Sequence, residues 1–502
     1  MSTYFSLRNL CGFEITRPVC DMAAFFDYEL AESDECSSAA QAVVIDKNGK
    51  VHEAQAVLCI AYNATEHRVN ASLDCGSQSF SSDKLCQLEQ GAEPTGGELT
   101  RCVKLAVVDV LEQATQARPA MPWGILTGVR PGKLAHKLLD SGKVAAELPN
   151  YLENAYLLPQ EQGSMLTNIA VKQKEILPDS TRFTDTGIYI GVPYCPSRCS
   201  YCSFPAGIVP QDEESQQNFV NLIEQDVQNV VQLLGVHSLS IKSLYIGGGT
   251  PTSLNDKVFA RLLEVVGKYL HFPSVQEFTV EAGRPDCFSK AKLAAMESAG
   301  VDRISVNPQT FHDKTLQLIG RKHTVNDFYR AYAEVRKSSI PIVNVDLIIG
   351  LPGENAEEIS YSLKKAVELA PENLTIHTLT LKRSAALFGS KIQLPAENAA
   401  VLVEQGRELA AQIGLEPYYL YRQHYMLGHL ANIGYAKPGT ESVYNIQMME
   451  ERHPVIGVGP SSSTKLPLAD GHHLLRMNMP KNVAVYASGL NEYCHKREEL
   501  FR

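Results

Sequence analysis

Three cysteines, Cys195, Cys199 and Cys202, stand at CxxxCxxC spacing in the string Tyr189-Ile190-Gly191-Val192-Pro193-Tyr194-Cys195-Pro196-Ser197-Arg198-Cys199-Ser200-Tyr201-Cys202, directly after an apolar, strand-like run. Thiolates so spaced can hold three irons of a [4Fe–4S] cube and leave the fourth iron open. An open iron on a cluster that delivers one electron suits chelation of the amino and carboxylate groups of S-adenosylmethionine and cleavage of its sulfonium bond, which starts radical chemistry. Other readings fit the spacing less well. Zinc sites usually take two CxxC pairs or a CxxC with two histidines, and no second pair follows. A dithiol redox motif leaves Cys195 unexplained. A ferredoxin needs a fourth cysteine, and the next is Cys287, far along the chain in a helix-like segment.

Such a loop has to be carried by a scaffold, and the pattern after Gly187 supplies one. Strand-like segments at Ile188 to Val192, Ser243 to Ile246, Glu277 to Val280, Arg303 to Val306, Ile342 to Ile349 and Asn373 to Thr380 alternate with helical patterns. The helices are expected over Glu213 to Leu234, Asp256 to Tyr269, Ala291 to Ala299, Val325 to Lys337 and Ala356 to Leu369. Six strands separated by helices predict an α/β fold, a partial (β/α)6 barrel of parallel strands whose ligands lie at the carboxyl ends.

Those carboxyl ends carry ligand-like residues. The second strand runs into Gly247-Gly248-Gly249-Thr250-Pro251-Thr252, where missing side chains let the backbone approach a ligand. No Lys-Ser or Lys-Thr follows, which excludes a phosphate loop. The third strand ends at Glu281, Gln309 follows the fourth, and the fifth holds Asp346 ahead of Gly350-Leu351-Pro352-Gly353. Carboxylate and amide side chains there can pair with ribose hydroxyls, and Arg321 can grip a carboxylate with two parallel bonds. Taken singly, each is an ordinary strand-end residue. Together they outline one pocket.

The flanking regions differ in pattern. Residues 1–180 read as an α+β module with strand signals at Ala42 to Ile45, an Asn48-Gly49 turn, a return strand from Val51 to Tyr62, and a helix from about Glu98 to Gln116. The only tryptophan, in Pro122-Trp123-Gly124, is expected to anchor a buried corner, with Arg130 and Lys133 able to touch an acidic group. Residues 181–390 would form the barrel. Residues 391–502 would form a mostly helical cap, with a helix from Glu397 to Ile413, a tyrosine run (Tyr418, Tyr419, Tyr421, Tyr425) and the turn Gly457-Val458-Gly459-Pro460.

At 502 residues the chain exceeds one compact core, and 44% hydrophobic with 20% charged residues is ordinary for a globular protein. With 46 Lys+Arg against 56 Asp+Glu, the net charge of -10 argues against nucleic-acid partners. No apolar stretch approaches the roughly 18 to 20 residues of a membrane span, and the start lacks a secretory pattern. Twelve scattered cysteines, seven of them before residue 103, suit a reducing cytoplasm.

These strings resemble the radical S-adenosylmethionine superfamily and, within it, the oxygen-independent coproporphyrinogen III oxidase (dehydrogenase) family. The amino-terminal module and Pro122-Trp123-Gly124 are similar to its longer HemZ-type branch. The resemblance implies that Cys195, Cys199 and Cys202 ligate a [4Fe–4S] cluster, and that Tyr189 lies near the sulfonium as a catalytic and cofactor-contacting residue. It further implies that Gly248, Gly249 and Thr250 contact the methionine part, and that Glu281, Gln309, Arg321 and Asp346 hold S-adenosylmethionine, of which the family oxidases can bind two. The implied reaction is oxidative decarboxylation of coproporphyrinogen III propionates to vinyl groups, with a reducing donor such as flavodoxin or ferredoxin.

A polyanionic tetrapyrrole would call for basic and aromatic tail residues, Arg422, Arg452, Lys437 and the tyrosines being the candidates. Two positions depart from the well-studied oxidases: Phe204 stands where they carry a fourth cysteine, and Gly191 where they carry a histidine. The haem-chaperone branch also lacks that cysteine but has a His-Asn-x-x-Tyr-Trp string, where this chain has Tyr444-Asn445-Ile446-Gln447-Met448-Met449. A tetrapyrrole-binding protein would need axial ligands, for which His424 with His429, or Met448-Met449, are available. A radical methyltransferase or other tailoring enzyme on the same barrel is a further alternative.

Overall fold

The computed structural model describes residues 3–26, 28–30, 43–45, 51–53, 56–86, 94–382, 384–388, 394–423, 426–468 and 473–502. Two compact units emerge, one from Met1–Thr127 with Ala146–Ser164, the other from Gly128–Ala145 with Met165–Arg502. The boundary therefore falls earlier than residue 180, and segments on either side of it interleave between the units.

In the first unit, strands Tyr28–Leu30, Thr3–Leu10, Ala56–Asn63, Arg68–Asp74 and Ser79–Leu85 lie side by side in that order. Helix Gly96–Thr115 starts where the Thr95 hydroxyl accepts from the Glu98 N–H, and it buries Val103, Ala106, Val107 and Val110 in the core. Val43–Ile45 and Val51–Glu53 pair as an antiparallel hairpin, but Ala56–Asn63 belongs to the five-stranded sheet instead of continuing the return strand. Asn48 and Gly49 lie outside the described residues. Trp123 is buried at 3% exposure, as a corner residue should be.

The second unit is built on one sheet. Strands β1 (Asp185–Val192), β2 (Ser240–Gly248), β3 (Glu277–Glu281), β4 (Arg303–Ser305), β5 (Ile342–Ile349) and β6 (Asn373–Thr378) are parallel and lie in chain order. Between them run α1 (Glu213–Val236), α2 (Asp256–Leu270), α3 (Lys290–Ser298), α4 (Val325–Lys337) and α5 (Ala356–Glu368). Each helix opens on a side-chain cap: Asp212, Asn255, Ser289, Thr324 and Asn355 accept from backbone N–H groups of the first turn. The carboxylates of Asp327 and Glu358 accept in return from the Thr324 and Asn355 backbone N–H groups, completing two capping boxes.

The tail holds α6 (Ala396–Gln412), β7 (Glu416–Tyr421), β8 (Asn432–Ala436), α7 (Val443–Glu450), β9 (Val455–Val458), β10 (Ser463–Pro467), β11 (Leu474–Asn478) and α8 (Val483–Leu500). Its helices are joined by five strands that extend the sheet at both edges, so the tail is not a separate cap. The order is β7-β8-β6-β5-β4-β3-β2-β1-β9-β10-β11, with β8 antiparallel to β6 and β9 parallel to β1. Because β8 and β9 flank opposite sides of the six parallel strands, the connecting α7 crosses the array. Its start is fixed by Glu277 on β3, which accepts from Ser442 Oγ at 2.8 Å and Val443 N–H at 2.5 Å. Further along, Gln447 accepts from Ser243 Oγ on β2 at 2.6 Å.

The last helix is locked by a buried ion pair. Arg497 and Asp226, both with fully buried side chains, meet at 2.6 Å, and Asp226 also accepts from Tyr486 OH at 2.6 Å and Gly459 N–H at 2.9 Å. Removing one partner leaves an uncompensated buried charge, which costs about 3–5 kcal/mol. Asp226→Ala should lower stability by about that amount in urea unfolding, and Asp226→Ala with Arg497→Met should recover much of the loss. A single variant as stable as wild type would contradict this account.

Candidate active site

The cysteine loop leaves the carboxyl end of β1. Tyr194–Cys195 pairs with Gly207–Ile208, and Ser200 N–H donates to the Ile319 carbonyl at 3.0 Å, so the loop is held on both sides. All three thiols are partly exposed. Burial pushes the Cys195 and Cys202 thiols above their ordinary range, and the neighbouring thiols push in the same direction, as expected where sulfurs are gathered. Thr250 Oγ1 donates to Cys195 Sγ at 3.6 Å. Among the described residues no three His, Cys, Asp or Glu groups are gathered as a site for a single metal ion.

Beside the loop, Gly249 passes so close that a Cβ would collide with the Tyr194 carbonyl and stand 3.0 Å from Cys195 Sγ. Gly248 has φ +117°, open only to glycine, and its N–H donates to Glu281 Oε2 at 3.2 Å. Tyr245 OH donates to the other Glu281 oxygen at 2.5 Å. Burial, with the Asp346 charge acting the same way, raises the Glu281 carboxyl to about 7.

Asp346 accepts from Asn344 and Asn307, each at 2.7 Å, and faces His377 Nε2 at 3.8 Å. Gln309 adopts φ +67°, an uncommon conformation for a side-chain-bearing residue, imposed by bonds from its N–H to the Asp346 carbonyl and from the Ile348 N–H to its own carbonyl, both 3.0 Å. Arg321 Nη1 donates to the Asn307 carbonyl at 2.7 Å and the Gly283 carbonyl at 3.2 Å, while Nη2 donates to Tyr201 OH at 3.3 Å. Gln309 Oε1, Asn307 Oδ1 and Arg321 Nε are buried without a partner. Orphaned polar atoms cost about 1–3 kcal/mol each, so three of them, two just after β4 and one in the loop that follows, fit a polar ligand that supplies donors and a carboxylate. That is the hydrogen-bonding pattern of adenosylmethionine.

Tyr189 stands below the glycine turn, its OH 3.3 Å from where a Gly248 Cβ would lie. Its ring stacks with Tyr245 and with Tyr444 of α7 at centroid distances of 6.1 and 5.8 Å. Burial and the Glu281 charge keep its phenol protonated. The structure thus sets Tyr189, the three cysteines, Gly248, Gly249, Thr250, Glu281, Gln309, Arg321 and Asp346 along the carboxyl ends of β1 to β5.

The tail candidates for a polyanion do not join them. Arg422 donates to the Leu430 and His429 carbonyls, Arg452 pairs with Asp140 and Asp179, and Lys437 pairs with Glu372. Each cation answers a buried acceptor or carboxylate of the scaffold. Tyr418 and Tyr419 are core residues, packed edge to face at 4.7 Å. His424 and Tyr425 lie outside the described residues. Arg130 and Lys133 do meet an acid, Glu451. Sequence reasoning missed Tyr245, Asn307 and Arg284. The first was signalled by alternation, since Tyr245 lies on the same face of its strand as Gly247, and Asn307 by its place just after the end of β4, two residues before Gln309.

Residues 189–366 match the radical SAM superfamily. The oxygen-independent coproporphyrinogen-III oxidase-like protein HemZ of Bacillus subtilis is 37% identical over 388 residues, 76% of this chain and 77% of that protein. Heme chaperone HemW of the same organism is 30% identical over 267 residues, 51% of this chain and 65% of that one. The structure of coproporphyrinogen III oxidase (HemN) from Escherichia coli superposes with a TM-score of 0.51 at 19% identity, covering 65% of this chain and 73% of its own, which places the fold. The chain belongs to the radical SAM superfamily and, within it, to the family of the coproporphyrinogen-III oxidase-like protein HemZ.

The raised Glu281 carboxyl gives a pH prediction. The folded state holds a proton that the unfolded chain releases near pH 4.3, so this group's contribution to stability is full below that pH and declines as pH rises toward about 7. Infrared difference spectra should show a carboxyl band titrating near pH 7 that disappears in Glu281→Gln. A band titrating near pH 4 would refute the assignment.

Proposed function

We propose that Cys195, Cys199 and Cys202 ligate a [4Fe–4S] cluster and that Tyr189, Gly248, Gly249, Thr250, Glu281, Gln309, Arg321 and Asp346 form the adenosylmethionine site of a cytoplasmic oxidoreductase acting on a tetrapyrrole. The observation carrying this is the row of orphaned polar atoms beside a loop of three part-exposed thiols. When bound, the cluster and adenosylmethionine supply one-electron reduction and hydrogen-atom abstraction. Arg321 Nε would donate to the carboxylate of adenosylmethionine, and Gln309 Oε1 and Asn307 Oδ1 would accept from its amino group or its ribose hydroxyls. Gly248 and Gly249 let the backbone close on the ligand. The Tyr189–Tyr245–Tyr444 stack lies beneath the glycine turn as an apolar platform. Phe204, Ile208 and Leu318, exposed by 63%, 54% and 53%, surround the cysteine loop and offer an apolar landing surface for a reducing protein such as flavodoxin or ferredoxin.

The reaction that best fits the relatives' names is oxidative decarboxylation of coproporphyrinogen III propionates, in porphyrin and haem biosynthesis. A Cβ at Gly191 would stand 2.6 Å from the Pro460 carbonyl, so the imidazole of the resembling oxidases has no room here, and any proton transfer falls to other groups. The similarity to Heme chaperone HemW supports a second reading, delivery of haem. Met448 is poorly placed as an axial ligand for it, because its sulfur lies 2.8 Å from Lys465 Nζ.

Anaerobically reconstituted protein given reductant, adenosylmethionine and coproporphyrinogen III should yield deoxyadenosine and a decarboxylated porphyrinogen. Deoxyadenosine without decarboxylation would reject the oxidase reading and keep the radical one, whereas stoichiometric haem binding with neither product would support the chaperone. Cys199→Ala should abolish the visible absorbance of the cluster. An unchanged spectrum would reject the ligand assignment.

A further inference from the structure

One buried cation outside the proposed ligand set touches the cysteine loop. Arg284, three residues beyond Glu281 and 3% exposed, directs Nη1 at Cys199 Sγ, 3.4 Å away, and at the Ser197 carbonyl at 3.5 Å. Its Nη2 donates to Ser197 Oγ at 3.0 Å. The plane of the guanidinium is fixed from behind by Asp286, whose two oxygens accept from Nε at 2.9 Å and Nη2 at 2.7 Å, and His323 Nδ1 backs Asp286 at 3.6 Å. This is a two-point carboxylate grip, which lysine could not reproduce. The other arginines of the site point elsewhere. Arg198 donates to the Ala206 carbonyl, and Arg321 to the Gly283 and Asn307 carbonyls and Tyr201 OH.

Reduction of a cluster adds one negative charge, shared with its cysteine sulfurs. A fixed positive charge and an N–H aimed at one of those sulfurs stabilise the reduced state more than the oxidised one, which raises the reduction potential. We propose that Arg284 is a positioning residue that holds Cys199 in place and raises the potential of the cluster, making the electron from an external one-electron reductant easier to accept. The inference rests on the cluster reading above. The loop it occupies also reaches the other side of the pocket, since Glu281 binds Gly248 N–H and the Gly283 carbonyl takes Arg321. Within the four residues 281–284, Arg284 therefore touches the cysteine loop while Glu281 and Gly283 hold the ligand-facing groups.

The test uses full-length protein, reconstituted anaerobically and titrated with dithionite under EPR, with iron content measured on the same samples. Arg284→Gln should take up the same iron as wild type and show roughly a tenfold lower ratio of reduced to oxidised cluster at a given potential, about 59 mV for a one-electron couple. Arg284→Lys, which keeps the charge without the fork, should fall between. A wild-type midpoint in a fully loaded Arg284→Gln protein would overturn the proposal. If that variant takes up no iron, pulsed EPR of reduced wild type labelled with 15N in its arginine guanidinium groups decides: a resolved coupling supports the contact, and its absence overturns it. Wild type that assembles no cluster would defeat the cluster reading and, with it, this inference.

Discussion

The second unit depends on a single crossing. Its chain leaves at β8, beside β6, and re-enters as β9, beside β1, so α7 has to cross from one side of the parallel array to the other. The crossing is held by polar bonds and by ring stacking. Glu277 binds the start of the helix, Ser243 binds Gln447, and Tyr444 packs on Tyr245 at 4.2 Å between ring centroids. The helix can lie this low only because Gly187 faces it, where a Cβ would stand 2.5 Å from Gln447 Oε1. With the helix seated, one end of the parallel array is filled, and the carboxyl ends of the strands are left as the place for polar chemistry.

The exit from α7 is secured electrostatically. Glu451, in a left-handed conformation and with its side chain 2% exposed, receives Arg130, Lys133, Lys465 and Arg476. Burial works against its ionisation, yet Lys465, Lys133 and Arg130 hold the carboxyl down at about 2. Four cations on one carboxylate make a strongly directional anchor, and they tie the β10–β11 hairpin to the helix. In a protein with a net charge of -10, this local excess of positive charge goes to architecture, as does that of Arg452 and Lys437.

Much of this was legible in the residues. The helices over Val325–Lys337 and Ala356–Glu368 and the strand over Ile342–Ile349 follow from period and caps, because each βα unit is local and carries its own start signal. The site residues were legible because they recur at one topological position, the end of each strand. The tail was harder. Its strands β7 to β11 find their partners across the whole sheet, and a short run such as Val455–Val458 has no periodicity that says which edge it joins. The basic residues misled for a similar reason: Arg422, Arg452 and Lys437 have partners close in space, and nothing in the chain near them announces an acceptor. Arg284 was overlooked because its meaning lies in the sulfur it faces, not in its neighbours along the chain.

The pairing of β9 with β1 has a bearing on biogenesis. During synthesis the cysteine-bearing strand emerges long before Val455–Val458, the segment that completes its second edge, and the Asp226–Arg497 pair forms only when the last turns of the chain are made. Until then β1 has an open side, the kind of edge that invites wrong partners. A nascent chain that has released the cysteine loop but not yet Val455–Val458 thus presents its thiols on a strand with only one of its two neighbours.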